Sequence, residues 1–240
     1  MSDTPFGTSP GPSPGPTPGS SPGSSEDAGF RSDPFDPDSL DRSVAAAAMR
    51  LAAEKGWRRV GLLEVAHAAG VPLSRFHQRY RGRADLLAAV SRVADATVLA
   101  AEGAVDLTEP PRDRLFDVMM RRFDALRPFR DGLRAVVRDL PGEPATALGF
   151  TCAFGRSMAW MLRAASIDPD QRGGAALVAG LGAVHARVMR VFLDDDTADL
   201  SRTMSALDNG LRRAERWGAT FCRWSGRGRR PEQDSMASTI

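Results

Sequence analysis

The sequence has few of the residues on which metal sites and many enzymes depend. Its two cysteines, Cys152 and Cys222, are too few and too far apart in the sequence to indicate a disulfide framework or a zinc site. The three histidines, His67, His77 and His185, have no metal-ligand spacing, and no glycine-rich phosphate loop or nucleophile motif occurs. We therefore expect no metal, no cofactor and no enzymatic activity.

Long uncharged apolar segments are also missing. No uninterrupted run of about 18 such residues occurs, so we expect no helix that spans a bilayer. The N-terminal stretch "MSDTPFGTSPGPSPGPTPGSSPGSS" lacks the charged segment followed by an apolar one that is typical of a signal peptide. A chain of 240 residues with 42% hydrophobic content can bury one large core or two small ones. These features predict a soluble, cytoplasmic globular protein.

Lysine is nearly absent, since Lys55 is the only one and all other basic side chains are arginines. The net charge is only +2, but residues 1–40 carry six acidic residues against one arginine, whereas residues 41–90 carry nine basic residues against four acidic ones. An arginine-rich segment suits phosphate binding. A GC-rich genome would produce the same preference for arginine, and a solvated basic face is the simpler alternative.

The chain divides by composition into four parts. Residues 1–40 consist mainly of Gly, Ser, Pro, Thr and Asp, and have too few apolar side chains to offset the entropy of ordering them, so we predict an acidic disordered tail. From residue 41 onward, apolar residues recur at helical spacing and no strand pattern is found, which predicts an all-α fold. We expect one helical domain at 41–90, a second at 91–225 and a disordered tail at 226–240.

The most informative stretch is "EVAHAAGVPLSRFHQRY", residues 64–80. Gly70 permits a turn with positive φ after an alanine-rich helix, and Pro72 suits the start of the next helix. That next helix is expected to bury Leu73, Phe76 and Tyr80 on one face. Its other faces are expected to carry the polar side chains Arg75, Gln78 and Arg79. The pattern predicts two short helices joined by a tight turn, the second of them basic.

Residues 42–90 resemble the TetR family of bacterial regulators. "AAMRLAAEKGW" is similar to that family's first helix, "LLEVAHAAGVP" to its second helix and turn, and "FHQRYRGRADLL" to its third helix and the start of the fourth. The resemblance implies a TetR-like three-helix domain with a helix-turn-helix, followed by helices that bind a ligand and form a homodimer. It also implies a regulator that binds a palindromic site in double-stranded DNA and is released by an apolar effector.

Four positions depart from the family pattern. Gly61 stands where the family usually has a Ser or Thr that caps the second helix and contacts a phosphate. His77 replaces the common Tyr, Tyr80 the common Phe, and Arg83 the common Lys. An aromatic donor and a cation are thus retained, while one hydroxyl contact is lost.

The DNA contacts follow from side-chain chemistry and from this resemblance. Arg75 and Gln78 are expected to contact base edges, because arginine pairs well with guanine and glutamine with adenine. His77 and Arg83 are expected to hold phosphates, with Arg83 near the N-terminus of the fourth helix, where the helix dipole favours an anion. The dimer surface is expected within residues 171–217, where Gly174, Gly180 and Gly182 permit close helix approach.

Large apolar side chains suggest a ligand site in the second half of the chain. Flexible and aromatic residues recur on two predicted helices and can line an apolar cavity, although packing in a core is the commoner use of such a stripe. These candidate ligand-binding residues are Met119, Phe123, Phe154, Met158, Trp160 and Met161. The expected ligand is hydrophobic, because no charged residue recurs on these faces.

A second resemblance concerns the C-terminal part. "VFLDDDTADLSRTMSALDNGLRRAERW" is similar to the end of the ubiquinone-biosynthesis lipid-binding proteins, which share the TetR fold. It implies, as the alternative function, a lipid-binding accessory protein that makes peripheral contact with the membrane surface. Trp217, Phe221 and Trp224 would enter the membrane interface, since they lie at helical spacing among arginines. The same three residues could instead pack against the dimer partner.

Overall fold

The computed structural model describes residues 37–100 and 106–226, and within the last helix it describes side chains up to residue 216. Every regular element in these ranges is a helix, which confirms the predicted all-α fold. The α-helices are α1 (Pro37–Lys55), α2 (Leu62–Ala68), α3 (Leu73–Arg79), α4 (Arg83–Leu99), α5 (Pro111–Leu126), α6 (Arg130–Asp139), α7 (Pro144–Ala164), α8 (Gly174–Leu193) and α9 (Ser201–Gly226).

The first helix begins earlier than the sequence pattern indicated. α1 starts at Pro37, so residues 37–40 are helical, although we predicted disorder up to residue 40. Proline and an acidic residue suit the first turn of a helix, and here Pro37 and Asp38 occupy that turn. The remainder of the predicted N-terminal tail and residues 227–240 lie outside the described residues.

Helices α1 to α4 form the N-terminal unit that carries the basic helix pair. Its core contains Val44, Ala48, Trp57, Phe76 and Tyr80, all at most 3% exposed. The prediction that Leu73 joins this core is wrong, because its side chain is 50% exposed. Leu73 is the first residue of α3, and Phe76 is the residue that this helix buries.

Helices α4 and α6 connect this unit with the rest of the fold. α4 packs against α1 on one side and against α5 and α7 on the other, and α6 packs against both α1 and α8. α6 approaches α1 closely at Gly132, where a Cβ would lie 2.3 Å from the Met49 carbonyl oxygen of α1. The buried residues of both halves therefore form one continuous hydrophobic core.

Helix α8 is long and apolar enough, by length and composition alone, to cross a membrane. The expectation that no helix spans a bilayer rests on the lack of an uninterrupted run of about 18 uncharged apolar residues, and α8 contains Arg187 and Arg190. Core helices of soluble proteins pass the same test, and α8 packs against α6, α7 and α9. Only 33% of its most apolar window is buried, so much of its apolar surface is open to solvent.

The turn between α8 and α9 is organised by Asp195, which is fully buried. Its carboxylate accepts hydrogen bonds from the backbone N–H and the hydroxyl of both Thr197 and Thr203. Burial raises the pKa of Asp195, but these hydrogen bonds outweigh burial and lower the pKa to about 2. These hydrogen bonds tie the turn to the first turn of α9, which contains Thr203.

Candidate functional site

The basic helix pair has the geometry that its sequence predicts. α2 ends at Ala68, the chain turns through Gly70 at φ +66°, and α3 begins at Leu73. The turn is closed by a hydrogen bond from the Val71 N–H to the Ala66 carbonyl, 2.9 Å long. Two short helices are thereby held at a fixed angle, with α3 at the surface.

The exposed side of α3 carries three of the four predicted DNA-binding residues. Arg75, His77 and Gln78 are all exposed, on a helix that buries only Phe76. The ring Nδ1 of His77 lies 3.1 Å from the Leu73 carbonyl oxygen of the preceding turn. Because a carbonyl only accepts, a hydrogen bond at this place requires the proton on Nδ1. α3 thus presents an arginine, a glutamine and an imidazole together.

Arg83, the fourth predicted residue, is engaged within the chain. Its Nη2 lies 2.9 Å from Oε1 of Glu143, and its Nη1 donates to the Arg58 carbonyl over 3.0 Å. Glu143 directly precedes α7 and is buried. The Arg83 side chain thus joins the start of α4 to the start of α7, a contact that the sequence pattern did not indicate.

The C-terminal end of α3 is fixed by Asp41 of α1, which is 2% exposed. Its carboxylate accepts hydrogen bonds from Arg79 Nε at 3.0 Å, from Arg92 Nε at 2.6 Å and from the Tyr80 hydroxyl. Burial raises the pKa of Asp41, but the hydrogen bonds from Arg92, Arg79 and Tyr80 outweigh burial and lower the pKa to about 2. We call these four residues the Asp41 clamp. They hold the presented helix against α1 and α4.

Gly61 occupies the N-cap of α2, the position that the family resemblance in the sequence implies. Its backbone is extended, with φ −97° and ψ 142°, and it makes no side-chain cap hydrogen bond. A Cβ at Gly61 would meet only the Glu64 carboxylate, at 4.0 Å. The site therefore has room for a hydroxyl side chain but does not carry one.

Five of the six predicted ligand-binding residues lie in or against the core between α5, α7 and α8. Met119, Phe123, Met158 and Met161 are fully buried, and the half-buried Phe154 packs against this core. Trp160, the sixth, lies on the opposite side of α7, where it is 49% exposed and its ring lies 5.1 Å from the Arg163 guanidinium carbon. Residues 154, 158 and 161 share one face of α7, and residue 160 falls between them in sequence but not on that face.

The same core contains a polar cluster that helical periodicity did not indicate. Arg122 of α5 is 1% exposed and donates to the Asp95 carboxylate of α4 and, over 3.3 Å, to the Ser91 hydroxyl. Asp95 also accepts a 2.7 Å hydrogen bond from Ser157 of α7. We had expected no charged group on these faces. The one sequence feature that could have indicated this polar cluster is Arg122, which interrupts an apolar stripe.

His185 of α8 lies beside this cluster and is 4% exposed. Its ring stacks on Phe123, with centroids 5.1 Å apart and planes 13° apart, and lies 5.4 Å from the Phe154 ring. Burial and the positive charge of Arg122 lower the pKa of His185 well below 6.5, so the imidazole is neutral at pH 7. We call Ser91, Asp95, Arg122, Ser157 and His185 the core polar cluster.

A wide, mostly apolar groove of about 990 Å³ is lined by residues of α8 and α9, together with a few from α5 and α7. Small residues make up part of this lining, among them Ala176, Gly180 and Ala183 of α8 and Ala206 and Gly210 of α9. Gly180 opens into the groove, since a Cβ there would meet no atom within 4 Å. Gly174 and Gly182, also expected at the dimer surface, instead allow contacts within the chain, with Pro169 and with Phe154.

The three residues of the proposed membrane contact, Trp217, Phe221 and Trp224, fall within α9. Their side chains lie outside the described residues. Their role therefore stays a prediction.

Comparison with known proteins agrees with this geometry. Residues 44–90 match the model of bacterial regulatory proteins of the tetR family. None of the curated proteins compared matches the chain. Among solved structures, a TetR transcriptional regulator from Nitrosomonas europaea ATCC 19718 is 21% identical with a TM-score of 0.55, and the match covers 74% of this chain and 98% of that one. A TetR transcriptional regulator from Rhodococcus sp. RHA1 is 18% identical with a TM-score of 0.54, covering 73% and 94%.

These matches bear on both resemblances inferred from the sequence. The likeness to the ubiquinone-biosynthesis lipid-binding proteins is not shown by them. The matched segment, residues 44–90, contains α2, the turn and α3, together with most of α1 and the first part of α4. Residues 44–90 are therefore similar to the tetR family of bacterial regulatory proteins, and the chain shares the all-helical fold of the two solved TetR transcriptional regulators.

Proposed function

We propose that this protein is a DNA-binding transcriptional regulator that acts as a homodimer and responds to a small, largely apolar molecule. The observation that carries the proposal is the exposed polar side of α3, with Arg75, His77 and Gln78, which the Asp41 clamp holds at a fixed angle. A recognition helix needs both features, because base contacts require side chains that reach the groove and a backbone that does not move.

Within this proposal, each residue of α3 has a distinct role. Arg75 and Gln78 contact base edges in the major groove, and His77 contacts a phosphate. Arg83 is already bound to Glu143, so it reaches a phosphate only if that ion pair opens. Arg81, exposed in the loop between α3 and α4, is a second cation at the same end of the helix.

Replacing Arg75 and Gln78 together by alanine is expected to weaken specific DNA binding at least about 30-fold, since each base contact contributes roughly 1–3 kcal/mol. The measurement is an electrophoretic mobility shift with the duplex that flanks the protein's own gene, in excess unrelated DNA. Arg156→Ala, which removes an exposed arginine from α7, is the matched control and should bind as the native chain does. Equal affinity of the double variant and the control would refute the assignment to α3.

The dimer is supported by the groove between α8 and α9. Its lining is mostly apolar and includes several small residues, with Arg112, Arg187 and Arg213 among the charged ones, so a helix of a second copy can approach closely. The open apolar surface of α8 would be covered by such a partner. A twofold dimer also fits the DNA, because a palindromic site presents two equivalent half-sites about one helical turn apart.

Gly180→Arg is expected to convert the dimer to a monomer at micromolar concentration, because it places a bulky charged side chain in the groove that the partner helix would fill. Gly155→Arg is the matched control: Gly155 is also inside a helix and a Cβ there also meets nothing within 4 Å, but it lies on α7, outside the groove. Light scattering measures the mass of both variants. A dimeric Gly180→Arg protein, or two monomeric variants, would contradict the assignment of the interface.

The effector is expected in the core between α5, α7 and α8, where the large apolar side chains Met119, Phe123, Met158 and Met161 meet. This core adjoins α4, which continues into the helix-turn-helix unit, so a ligand that displaces α7 would also act on the Arg83–Glu143 ion pair. A regulator of this kind works beside the chromosome, and we propose a cytoplasmic location.

A further inference from the structure

Helix α3 presents an apolar side chain at its N-terminal end. Leu73, the first residue of the helix, is 50% exposed, and Pro72, directly before it, is exposed as well. A single exposed leucine is common on protein surfaces, so only its position in the fold gives it a meaning. This leucine lies two residues before Arg75, on the helix to which the proposed function assigns the base contacts.

The core contact of α3 does not include this leucine. Phe76 and Tyr80, the residue that follows the helix, are 3% and 2% exposed and pack in the hydrophobic core, which Leu73 does not join. Residues four apart lie on the same side of a helix, and His77, four residues after Leu73, is also exposed. Leu73 therefore begins a row on the solvent side of α3 that continues in His77.

The backbone at Leu73 is held in place. Pro72 is the N-cap residue of α3, with φ −58°, an angle that its ring fixes. The Pro72 carbonyl oxygen accepts hydrogen bonds from the N–H groups of Arg75 and Phe76, at 2.9 and 3.0 Å. The start of the helix is thus ordered before any DNA arrives, so a contact from Leu73 carries little cost of ordering the backbone.

The chemistry of the major groove defines what an apolar side chain can recognise there. In a helix-turn-helix, the N-terminal residues of the second helix are the ones that contact base edges. These edges present hydrogen-bond donors and acceptors, and the 5-methyl group of thymine is the one apolar group among them. A leucine against a donor or acceptor displaces water without replacing its hydrogen bond, whereas against thymine it buries apolar surface on both sides.

We propose that Leu73 recognises thymine through its 5-methyl group, at one position in each half-site, beside the bases that Arg75 and Gln78 contact. The inference rests on the proposed function, because it names a base that α3 recognises. Leu73 is then a specificity-determining residue, and the operator has a T·A pair at the same place in both half-sites.

The experiment starts from duplexes that the full-length protein enriches from a random pool, so that it needs no known operator. Thymines of an enriched duplex are then replaced, one position at a time in both half-sites, by deoxyuridine, which lacks only the methyl group. At one position, mobility shifts are expected to show binding weakened about tenfold, which corresponds to roughly three- to fourfold for each methyl group removed from the contact.

Leu73→Ala tests whether this methyl group is recognised by Leu73. The variant is expected to bind the thymine duplex about tenfold more weakly than the native chain and to bind the thymine and deoxyuridine duplexes equally. It should fold normally, because Leu73 lies outside the core. Leu63→Ala is the matched control: Leu63 is 54% exposed on α2, in the same unit, and its removal should leave the preference for thymine at the native value.

Failure of this inference differs from failure of the proposed function. If the native chain enriches no duplex, the regulator is refuted, and the role of Leu73 with it. If a duplex is enriched but deoxyuridine weakens binding at no position, the inference is overturned while the regulator stands. The same holds if Leu73→Ala keeps the native preference for thymine, because the methyl group is then recognised by another residue.

Discussion

Asp41→Ala is expected to lower the free energy of unfolding by about 2–3 kcal/mol. The carboxylate accepts from two arginines and a tyrosine, and its removal leaves the Tyr80 hydroxyl buried without a partner and the two guanidinium groups close together. The Arg79 and Arg92 side chains are 36% and 40% exposed, so water can solvate both guanidinium groups once their ion pairs with Asp41 are gone. The expected loss of stability is therefore smaller than for a fully buried ion pair. Urea unfolding followed by tryptophan fluorescence measures the change.

The control for this variant lies three residues earlier in the same helix. Asp38 is exposed in the first turn of α1, and Asp38→Ala is expected to cost less than about 1 kcal/mol, the usual size of a helix-dipole contribution. Similar losses in both variants would mean that the clamp contributes nothing beyond an ordinary acidic residue near a helix N-terminus.

The clamp also has a pH dependence with a definite sign. Asp41 has a pKa of about 2 in the folded protein, below its ordinary 3.8, so folding favours the ionised form. Its contribution is therefore fully present above about pH 4 and is lost as the pH falls toward 2. We expect the stability difference between the native chain and Asp41→Asn to stay constant from pH 7 to pH 5 and to shrink between pH 4 and pH 2.

Loss of the clamp also bears on DNA binding. Arg79 is the last residue of α3, and Tyr80 follows it. Without their hydrogen bonds to Asp41, α3 is held against α1 and α4 mainly by the buried Phe76 side chain. A recognition helix that rotates by a few degrees loses its base contacts while its own side chains remain intact. The Asp41→Asn variant should consequently bind specific DNA more weakly at pH 7, although it lacks no residue that contacts DNA.

Much of the fold could be predicted because its signals are local. Gly56 and Gly70, both at positive φ, mark the ends of α1 and α2, and Pro111 marks the start of α5, as expected from their chemistry. Helical spacing of apolar residues, without any strand pattern, likewise predicted the all-α fold. The face of α3 that carries Arg75 and Gln78 followed from the same spacing, once Phe76 and Tyr80 were assigned to the core.

The side-chain pairs that organise the sites could not be predicted, because no local pattern encodes them. Arg122 pairs with Asp95, 27 residues earlier, and Arg83 pairs with Glu143, 60 residues later. Helix packing decides which of the 31 arginines become buried. Arg122 is buried and its neighbour Arg121 is exposed, and the local sequence distinguishes the two only by the place of residue 122 on the apolar stripe of α5. Trp160 was predicted to lie with the core-facing residues but lies on the opposite side of α7. The reason is related: large apolar residues occur on both faces of this helix, so the sequence does not show which of them face the core.

The contact between α6 and α1 is another feature that only the three-dimensional structure shows. Gly132 lies so close to α1 that a Cβ would be 2.3 Å from the Met49 carbonyl oxygen and 2.6 Å from its Cα, both of them backbone atoms that cannot turn aside. The helix-turn-helix unit and α6 thus meet through a backbone-to-backbone contact, and the Arg83–Glu143 ion pair adds a second connection, between α4 and the start of α7. Close packing of this kind transmits small displacements, because neither helix can move alone.

Gly132→Ala is accordingly expected to destabilise the protein by at least about 2 kcal/mol, since α6 must move away from α1 to make room for the methyl group and the packing on both sides is disturbed. Gly155→Ala adds the same methyl group within α7, where it meets nothing within 4 Å, and should stabilise the protein by up to about 1 kcal/mol through helix propensity. Urea unfolding of the two variants should therefore separate them by about 3 kcal/mol. If the two variants are equally stable, α1 and α6 are not in backbone contact at this point, and the coupling that we assign to this contact has no structural basis.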